Sequence, residues 1–528
     1  MIKESVGSIN ILSAVKQEKI IINPIVQNVH VHLAAPSMLD NRADADRIRD
    51  YLKGKYGRVR IPYNSIRAIP EKCREFNWDF NVLLKKNETG WELLKFFAAQ
   101  AENKLRKNYG LAVDIGTTTV VVALIDMETG MCLGTSAGYN GQVYFAEDIL
   151  SRIYFASDHK GLCKLQAAIK ETLNALIDDV CSKCCAFNED ITAVTVGANT
   201  VMLHFLLGLD TSRISREPYT PVINNTGFLT AEDVGINVHP KGVLYCLPSV
   251  GSYIGGDVLA GILVSNMHER EGISLLVDIG TNGEIILGNS DWLVACAGAA
   301  GPALEGGVVA FGMRAEVGAI EKVSIKPCGE VVYKVIGDVK PKGICGSGLV
   351  DCLSEMLLNG IIDRSGRFTG GADYFTVVPA ALSANGQPIV VTQVDVKNIL
   401  RTKGAVNAAV EVLLEGVGCN IGDIEYFFSA GAFGRFLDIE SAVNIGLYPD
   451  LPRDRMTQLG NSSLEGARQV LLSIDRLLEA EKIATRITYF ELNSSQEFMN
   501  KFVGSKFFPH TNLDYYPTVR DRLKEKGL

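Results

Sequence analysis

Two stretches of this 528-residue chain repeat each other: LAVDIGTTTVVVALID (Leu111–Asp126) and LLVDIGTNGEIILGN (Leu275–Asn289). Each reads apolar-apolar-Val-Asp-Ile-Gly-Thr and then enters a β-branched run. Their aspartates, Asp114 and Asp278, lie 164 positions apart. Solenoid repeats recur every ~20–50 residues, so this spacing belongs instead to a duplicated α/β domain. The rest of the chain divides around the two copies. Residues 1–105 alternate short strands (Ile20–Ile22, Val29–Leu33) with a charged helix, Asp44–Lys53, and read as a separate small α+β unit. Residues 106–266 and 267–486 are the two α/β subdomains. Residues 487–528 carry Tyr489, Phe490, Phe498, Phe502, Phe507, Phe508, Tyr515 and Tyr516, an aromatic load expected of a docked closing segment and foreign to a disordered arm.

In each repeat an apolar strand runs into Asp-Ile-Gly-Thr and a second strand runs out, which predicts a tight hairpin. The glycine lets backbone approach a ligand, and successive turn amides make an anion-binding concavity. An aspartate at each strand end suits hydrated Mg²⁺, which takes oxygen ligands and keeps several waters. One such loop is an ordinary turn. Two matched copies at domain spacing look like paired jaws for the β- and γ-phosphates of a nucleotide. Asp114 and Asp278 are thus the candidate holders of Mg²⁺ through water, with Gly116, Thr117, Thr118, Gly280, Thr281 and Asn282 against phosphate. No GxxxxGK[ST] and no GxGxxG after an early strand competes with this assignment. The turn KGICGSGLVD (Lys342–Asp351) reads equally well as an anion site at a helix N-terminus or as a packing turn.

Other classes are excluded by composition. Lys plus Arg number 52 against 60 Asp plus Glu, a net charge of −8, which is not the footprint of a general nucleic-acid binder. The longest greasy segment, Ala193–Leu209, is interrupted by Gly197, Asn199 and His204 and is short of a membrane span. His204 there reads as a satisfied core group. No secretory signal is visible at the start, so a cytoplasmic protein with mostly reduced thiols is expected. The tight group Cys181, Cys184 and Cys185 ends a helical stripe of Leu162, Leu165, Ile169, Leu173, Leu176, Val180 and Cys184, which puts Cys184 in the core. With no spaced CxxC series, no iron–sulfur cluster is expected in this chain.

The paired loops resemble those of the ASKHA superfamily of actin, sugar kinases and Hsp70, where two ribonuclease-H-like domains bind MgATP between them. The order of segments fits: SYIGGDVLAG (Ser252–Gly261) as connecting helix and FFSAGAFGRF (Phe427–Phe436) as adenosine motif. Within that superfamily the chain resembles the ATP-dependent reductive activators of corrinoid proteins over nearly its whole length. The resemblance rests on APSMLDNRADADR, NGQVYFAEDILSRI, GANTVMLHFLLGL, ACAGAAGPALEGG, GICGSGLVD, SAGAFGRFLDIESAVNIGLYPDLP and TYFELNSSQEFMNKFVGSKFFPH.

The resemblance implies an ATPase that returns inactive Co(II) to Co(I) in the corrinoid protein of a methyltransferase system, with a homodimer as the assembly. It places Asp257 near the water that attacks ATP, and Gly431, Ala432 and Phe433 at adenosine. Several members carry their own cluster in a ferredoxin-like domain. Here that domain is missing and no cysteine follows Cys419, so an external donor such as a separate ferredoxin is expected. The alternative is a small-molecule kinase of the same superfamily, with Asp257 or Glu305 as its carboxylate.

Overall fold

The computed structural model describes residues 20–98, 108–280, 283–298, 301–492 and 496–528, without the side chains of Pro302, Glu305, Ala432, Phe433 and Arg435. They form two units. One holds the residues up to Ala260 together with Ser463–Ala484; the other holds Gly261–Ser462 and Thr485–Leu528.

The first unit opens with a four-stranded sheet in the order Val26–His32, Asp79–Asn87, Gly90–Ala98, Val59–Arg60. Ile20–Ile22 is not a strand. Pro24 interrupts the run and Ile21 is exposed, so extended pairing starts only at Val26. The charged helix runs three residues beyond its expected end, Asp44–Tyr56, and stops at Gly57, whose φ of 63° few other residues adopt at low cost. Val31, Ile48, Leu52, Ile69, Phe80, Val82 and Leu84 fill the core of this part.

A six-stranded sheet follows, ordered Cys132–Tyr139, Thr119–Asp126, Tyr109–Ile115, Ile191–Ala198, Val243–Cys246, Phe228–Thr230. The first three strands form an antiparallel meander, and the next two run parallel to Tyr109–Ile115. Central strands buried on both faces read as continuous apolar runs, which is why Leu111–Ile115 and Val120–Ile125 carry almost no polar residue. The helix His159–Cys184 covers one face through Leu165, Ile169, Leu173, Leu176, Ile177 and Val180. The stripe ends on the core as the sequence suggests: Cys181 is buried and Cys184, half-buried, packs against the same cluster. Cys184 sits in the last turn against Gly134, where a side chain would come within 2.6 Å of its sulfur.

The greasy segment is a strand, Ile191–Ala198, followed by the helix Thr200–Leu207. Among the described residues no helix is long and apolar enough to cross a membrane. The helix Ser462–Leu472 packs through small residues from Ser463 onward: a side chain on Gly466 would meet Ala260 Cβ at 2.4 Å, and one on Gly197 would meet Ser463 Oγ at 2.5 Å. Thr195 Oγ1 donates to Ala467 O at 2.8 Å, fixing the crossing.

The second unit repeats the scheme. Its main sheet is ordered Leu293–Gly298, Gly283–Gly288, Ser274–Ile279, Tyr426–Ala430, Met456–Gly460, with Ile487–Tyr489 added beside Leu293–Gly298. Again three antiparallel strands precede two parallel ones, so both sheets share the order third, second, first, fourth. In the first sheet the next strand is the sixth, Val243–Cys246, because Phe228–Thr230 comes before it in the chain and pairs antiparallel at the edge; in the second sheet it is the fifth. The duplication read from sixteen residues therefore extends to the topology. The long helix Gln393–Gly416, started by a Thr392–Asp395 capping box, lies in the core with Gly346–Leu358. The aromatic tail packs on the same core: Phe508 and Tyr516 are fully buried. Asn407 Nδ2 donates to Tyr516 Oη at 2.5 Å, and the buried Lys403 ammonium donates to the Pro509 carbonyl.

Candidate functional site

Both Asp-Ile-Gly-Thr segments are the hairpins that the alternation of strand and glycine turn predicts. In the first unit, Asp114 is the penultimate residue of its strand, with Val121 beside it on one neighbour and Gly197 on the other. The turn closes when Gly116 N donates to Thr119 O at 2.9 Å. A Cβ on Gly116 would stand 2.8 Å from that same oxygen, so only glycine closes the hairpin this tightly. Thr117 and Thr118 form the half-buried crown of the turn.

Asp257 enters this site from the helix Gly256–Ser265. Its Oδ1 accepts from Val258 N at 2.8 Å, the self-capping expected of an aspartate at a helix start. Gly255 and Gly256 let that start press onto the sheet: a side chain on Gly255 would strike Ala198 O at 2.6 Å and Asp257 Oδ1 at 2.7 Å. Burial pushes the Asp257 carboxyl up to about 7, and the neighbouring charge of Asp114 pushes the same way. The fold thus brings together two of the sequence-predicted carboxylates, Asp114 at a strand end and Asp257 at a helix start.

In the second unit Asp278 stands opposite Glu284 across the hairpin and beside Ala430 on the parallel strand. Gly431, with φ 87°, follows directly, and a side chain there would lie 2.5 Å from Asp278 Oδ1 and 3.3 Å from Ile279 O. Asp278 and Gly431 are thus neighbours through space as well as candidates from separate motifs. Gly280 follows directly on the strand, whereas Thr281 and Asn282 lie outside the described residues. Ala432 and Phe433 fall in the helix Gly431–Phe436. Gln458 Nε2 fastens that helix by donating to Gly434 O and Leu437 O, each at 2.7 Å.

The donor set suits hydrated magnesium and a polyphosphate. Each hairpin offers a carboxylate at a strand end beside a glycine turn, and the mutual repulsion of Asp114 and Asp257 is the kind a divalent cation relieves. Other candidates resolve differently. His204 is fully buried; its Nδ1 lies 2.7 Å from Thr200 O and its Nε2 accepts from Val222 N at 3.0 Å. Burial lowers its pKa, and with both nitrogens used it is a neutral core histidine. The Gly346 turn is a packing turn, since a side chain on Gly348 would meet Ile320 O at 2.4 Å. Glu305 belongs to the short turn Pro302–Glu305.

Sequence reasoning passed over the residues behind the first turn. Asn140, Gln142 and Arg152 are all fully buried, in the segment NGQVYFAEDILSRI that carried the family resemblance without any role for these three. The signal available was the presence of three long polar side chains among buried strands and helices, each needing partners.

Residues 272–520 match the family model described as the C-terminal, ASKHA domain of RACo. Residues 109–270 match the RACo middle region, and residues 15–103 the RACo linker region. The chain belongs to the RACo family. It is 33% identical over 427 residues to the corrinoid activation enzyme RamQ of Eubacterium limosum, covering 77% of this chain and 72% of that protein. It is 26% identical over 432 residues to a [Co(II) methylated amine-specific corrinoid protein] reductase of Methanosarcina barkeri, covering 75% and 76%. Among solved structures, a reductive activator for a corrinoid, iron–sulfur protein superposes with a TM-score of 0.88 at 38% identity, over 95% of this chain and 82% of that one. RACo-family membership accounts for the α/β architecture with its ASKHA domain, and for the small N-terminal sheet as the linker region.

Proposed function

We propose that this RACo-family chain is an ATP-dependent activator that returns the cobalt of a corrinoid protein from Co(II) to Co(I). The observation that carries the proposal is the 38% identical, 95% covering superposition on a reductive activator, joined to two aspartate-bearing glycine hairpins. Co(II) gains one electron; a separate low-potential donor of the ferredoxin class supplies it, and ATP hydrolysis supplies the driving force.

The residues divide the work. Asp114 and Asp278 would hold the water shell of Mg²⁺, which would supply charge neutralisation to the phosphates. Thr117, Thr118, Gly280, Thr281 and Asn282 meet phosphate through amides and hydroxyls, where preorganised donors act without reorganisation, while Gly116, whose N–H closes the hairpin on Thr119 O, brings the backbone close to phosphate. Gly431, Ala432 and Phe433 line the adenosine end. Asp257, with a pKa near neutrality, takes the proton of the attacking water, the value best matched to such transfer. Closure on ATP and release after hydrolysis then favour two states of different partner affinity. A homodimer is the assembly proposed.

The test is anaerobic, with purified protein, MgATP, a low-potential reductant and a Co(II) corrinoid protein, read by phosphate release and the cobalt spectrum. Conversion of cobalt that needs both ATP and Asp114 is the expected result. Hydrolysis without any change at cobalt removes the redox assignment. Phosphorylation of a small alcohol or acid in place of both replaces it with the kinase alternative.

A further inference from the structure

A turn that aims its amides at an anion must direct its carbonyls the other way, and a buried carbonyl needs a donor. In the first hairpin one residue provides two. Asn140 Nδ2 donates to Gly116 O at 3.0 Å, and Asn140 N donates to Thr118 O at 2.9 Å. Its other side-chain atom is also engaged, since Oδ1 accepts from Gln142 N at 3.1 Å. With a donor partner on one side and an acceptor on the other, the amide has one orientation only.

The support continues inward. Gln142 Nε2 donates to Leu165 O of the long helix at 3.0 Å, and Arg152 Nη1 donates to Gln142 Oε1 at 3.1 Å. Arg152 Nε donates to Ala146 O at 3.0 Å. All three side chains are fully buried, so their hydrogen bonds face no competition from water and are costly to break singly.

We infer that Asn140 is a positioning residue for nucleotide binding: it sets the curvature of the 116–118 turn from behind, with Gln142 and Arg152 holding it in register. The inference rests on the assignment of that turn to phosphate. It adds a residue that touches no ligand and that neither the Asp-Ile-Gly-Thr repeat nor its charge pattern contains.

The experiment uses the full chain and measures MgATP and MgADP binding by calorimetry, KM and kcat of hydrolysis, and the melting midpoint. Asn140→Ser keeps a cap for Gln142 N but loses the amide donor to Gly116 O. Asn140→Asp keeps the acceptor and sets a carboxylate against that carbonyl. Ile153→Ala, a core truncation in the same segment, is the stability control. The expected result is MgATP affinity and KM about tenfold poorer in both Asn140 variants with kcat largely kept, one lost hydrogen bond having that order of effect. Ile153→Ala is expected to melt earlier with KM unchanged.

Binding within twofold of wild type in Asn140→Ser overturns the inference, as does an equal loss in Ile153→Ala. Asp114→Ala separates the two levels. If it loses MgATP while Asn140→Ser does not, only the positioning role falls. If it binds as wild type does, the phosphate assignment falls and the inference with it.

Discussion

Asp257 sits in an environment far from that of an aspartate in water. Burial, seconded by Asp114, lifts its pKa from 3.8 to about 7. The folded chain therefore keeps a proton that the unfolded chain gives up, and the stability this contributes is full below about pH 4 and lost as pH rises through about 7. In nucleotide-free protein we predict that the melting midpoint of wild type falls relative to Asp257→Asn between about pH 5 and about pH 8. A difference independent of pH would show that Asp257 is not the titrating group. Saturating Mg²⁺ with nucleotide should flatten the same slope, because a nearby cation favours the ionised carboxylate. Gly431 makes a second prediction at this scale. Gly431→Ala places a methyl on Asp278 at a positive φ, and should cost more than about 1 kcal/mol in denaturant unfolding, besides weakening MgATP binding. An unchanged unfolding midpoint would mean that the turn relaxes freely.

At the scale of elements, the tail is held by polar anchors as much as by area. Lys403, Asn407 and Arg364 reach Pro509 O, Tyr516 Oη and Thr511 O respectively. Tyr516 is about 1% exposed and belongs to the main core of the second unit. Tyr516→Ala should cost about 3–5 kcal/mol, in the range of buried aromatic truncations, and expose the Pro517–Glu525 helix to limited proteolysis. Tyr516→Phe, losing only the hydroxyl, should cost about 1 kcal/mol. Equal effects of the two would assign the anchoring to the hydroxyl alone. Elements were legible in the sequence where they carried a strong period or a repeated turn: both hairpins and the long helix after His159. The Ile20–Ile22 strand was misread because an apolar triplet carries no information about Pro24. Cys184 was legible as a core-facing residue because three- and four-residue steps trace one helix face, but they say nothing about how completely the last turn is covered. Half of the candidate site was legible for the same reason, in Asp114, Asp278 and their glycines. Asn140 was not, because its role depends on a carbonyl 24 residues away that only the fold brings to it.

For the whole molecule, MgATP that binds the native state alone should stabilise it by about 2.7 kcal/mol at a concentration one hundred times its Kd. The melting midpoint should therefore climb with the logarithm of MgATP concentration, and Asp114→Ala should abolish the climb. A midpoint that rises equally in the variant would place the binding energy elsewhere. The first unit is also discontinuous in sequence: Ser463–Ala484 is part of it, with Gly197 against Ser463, Thr195 on Ala467 and Tyr245 Oη donating to Glu481 at 3.1 Å. During synthesis the polypeptide up to Ala260 leaves the ribosome long before its last helices exist. At about 5–20 residues per second, roughly 200 further residues delay them by about 10–40 s. For that interval a finished sheet waits with glycines and small side chains bared along the groove where a helix belongs. The nascent chain is then most exposed to chaperone capture and to mispairing with other nascent copies, and slowing translation through the second half should lower the yield of native protein more than slowing the first.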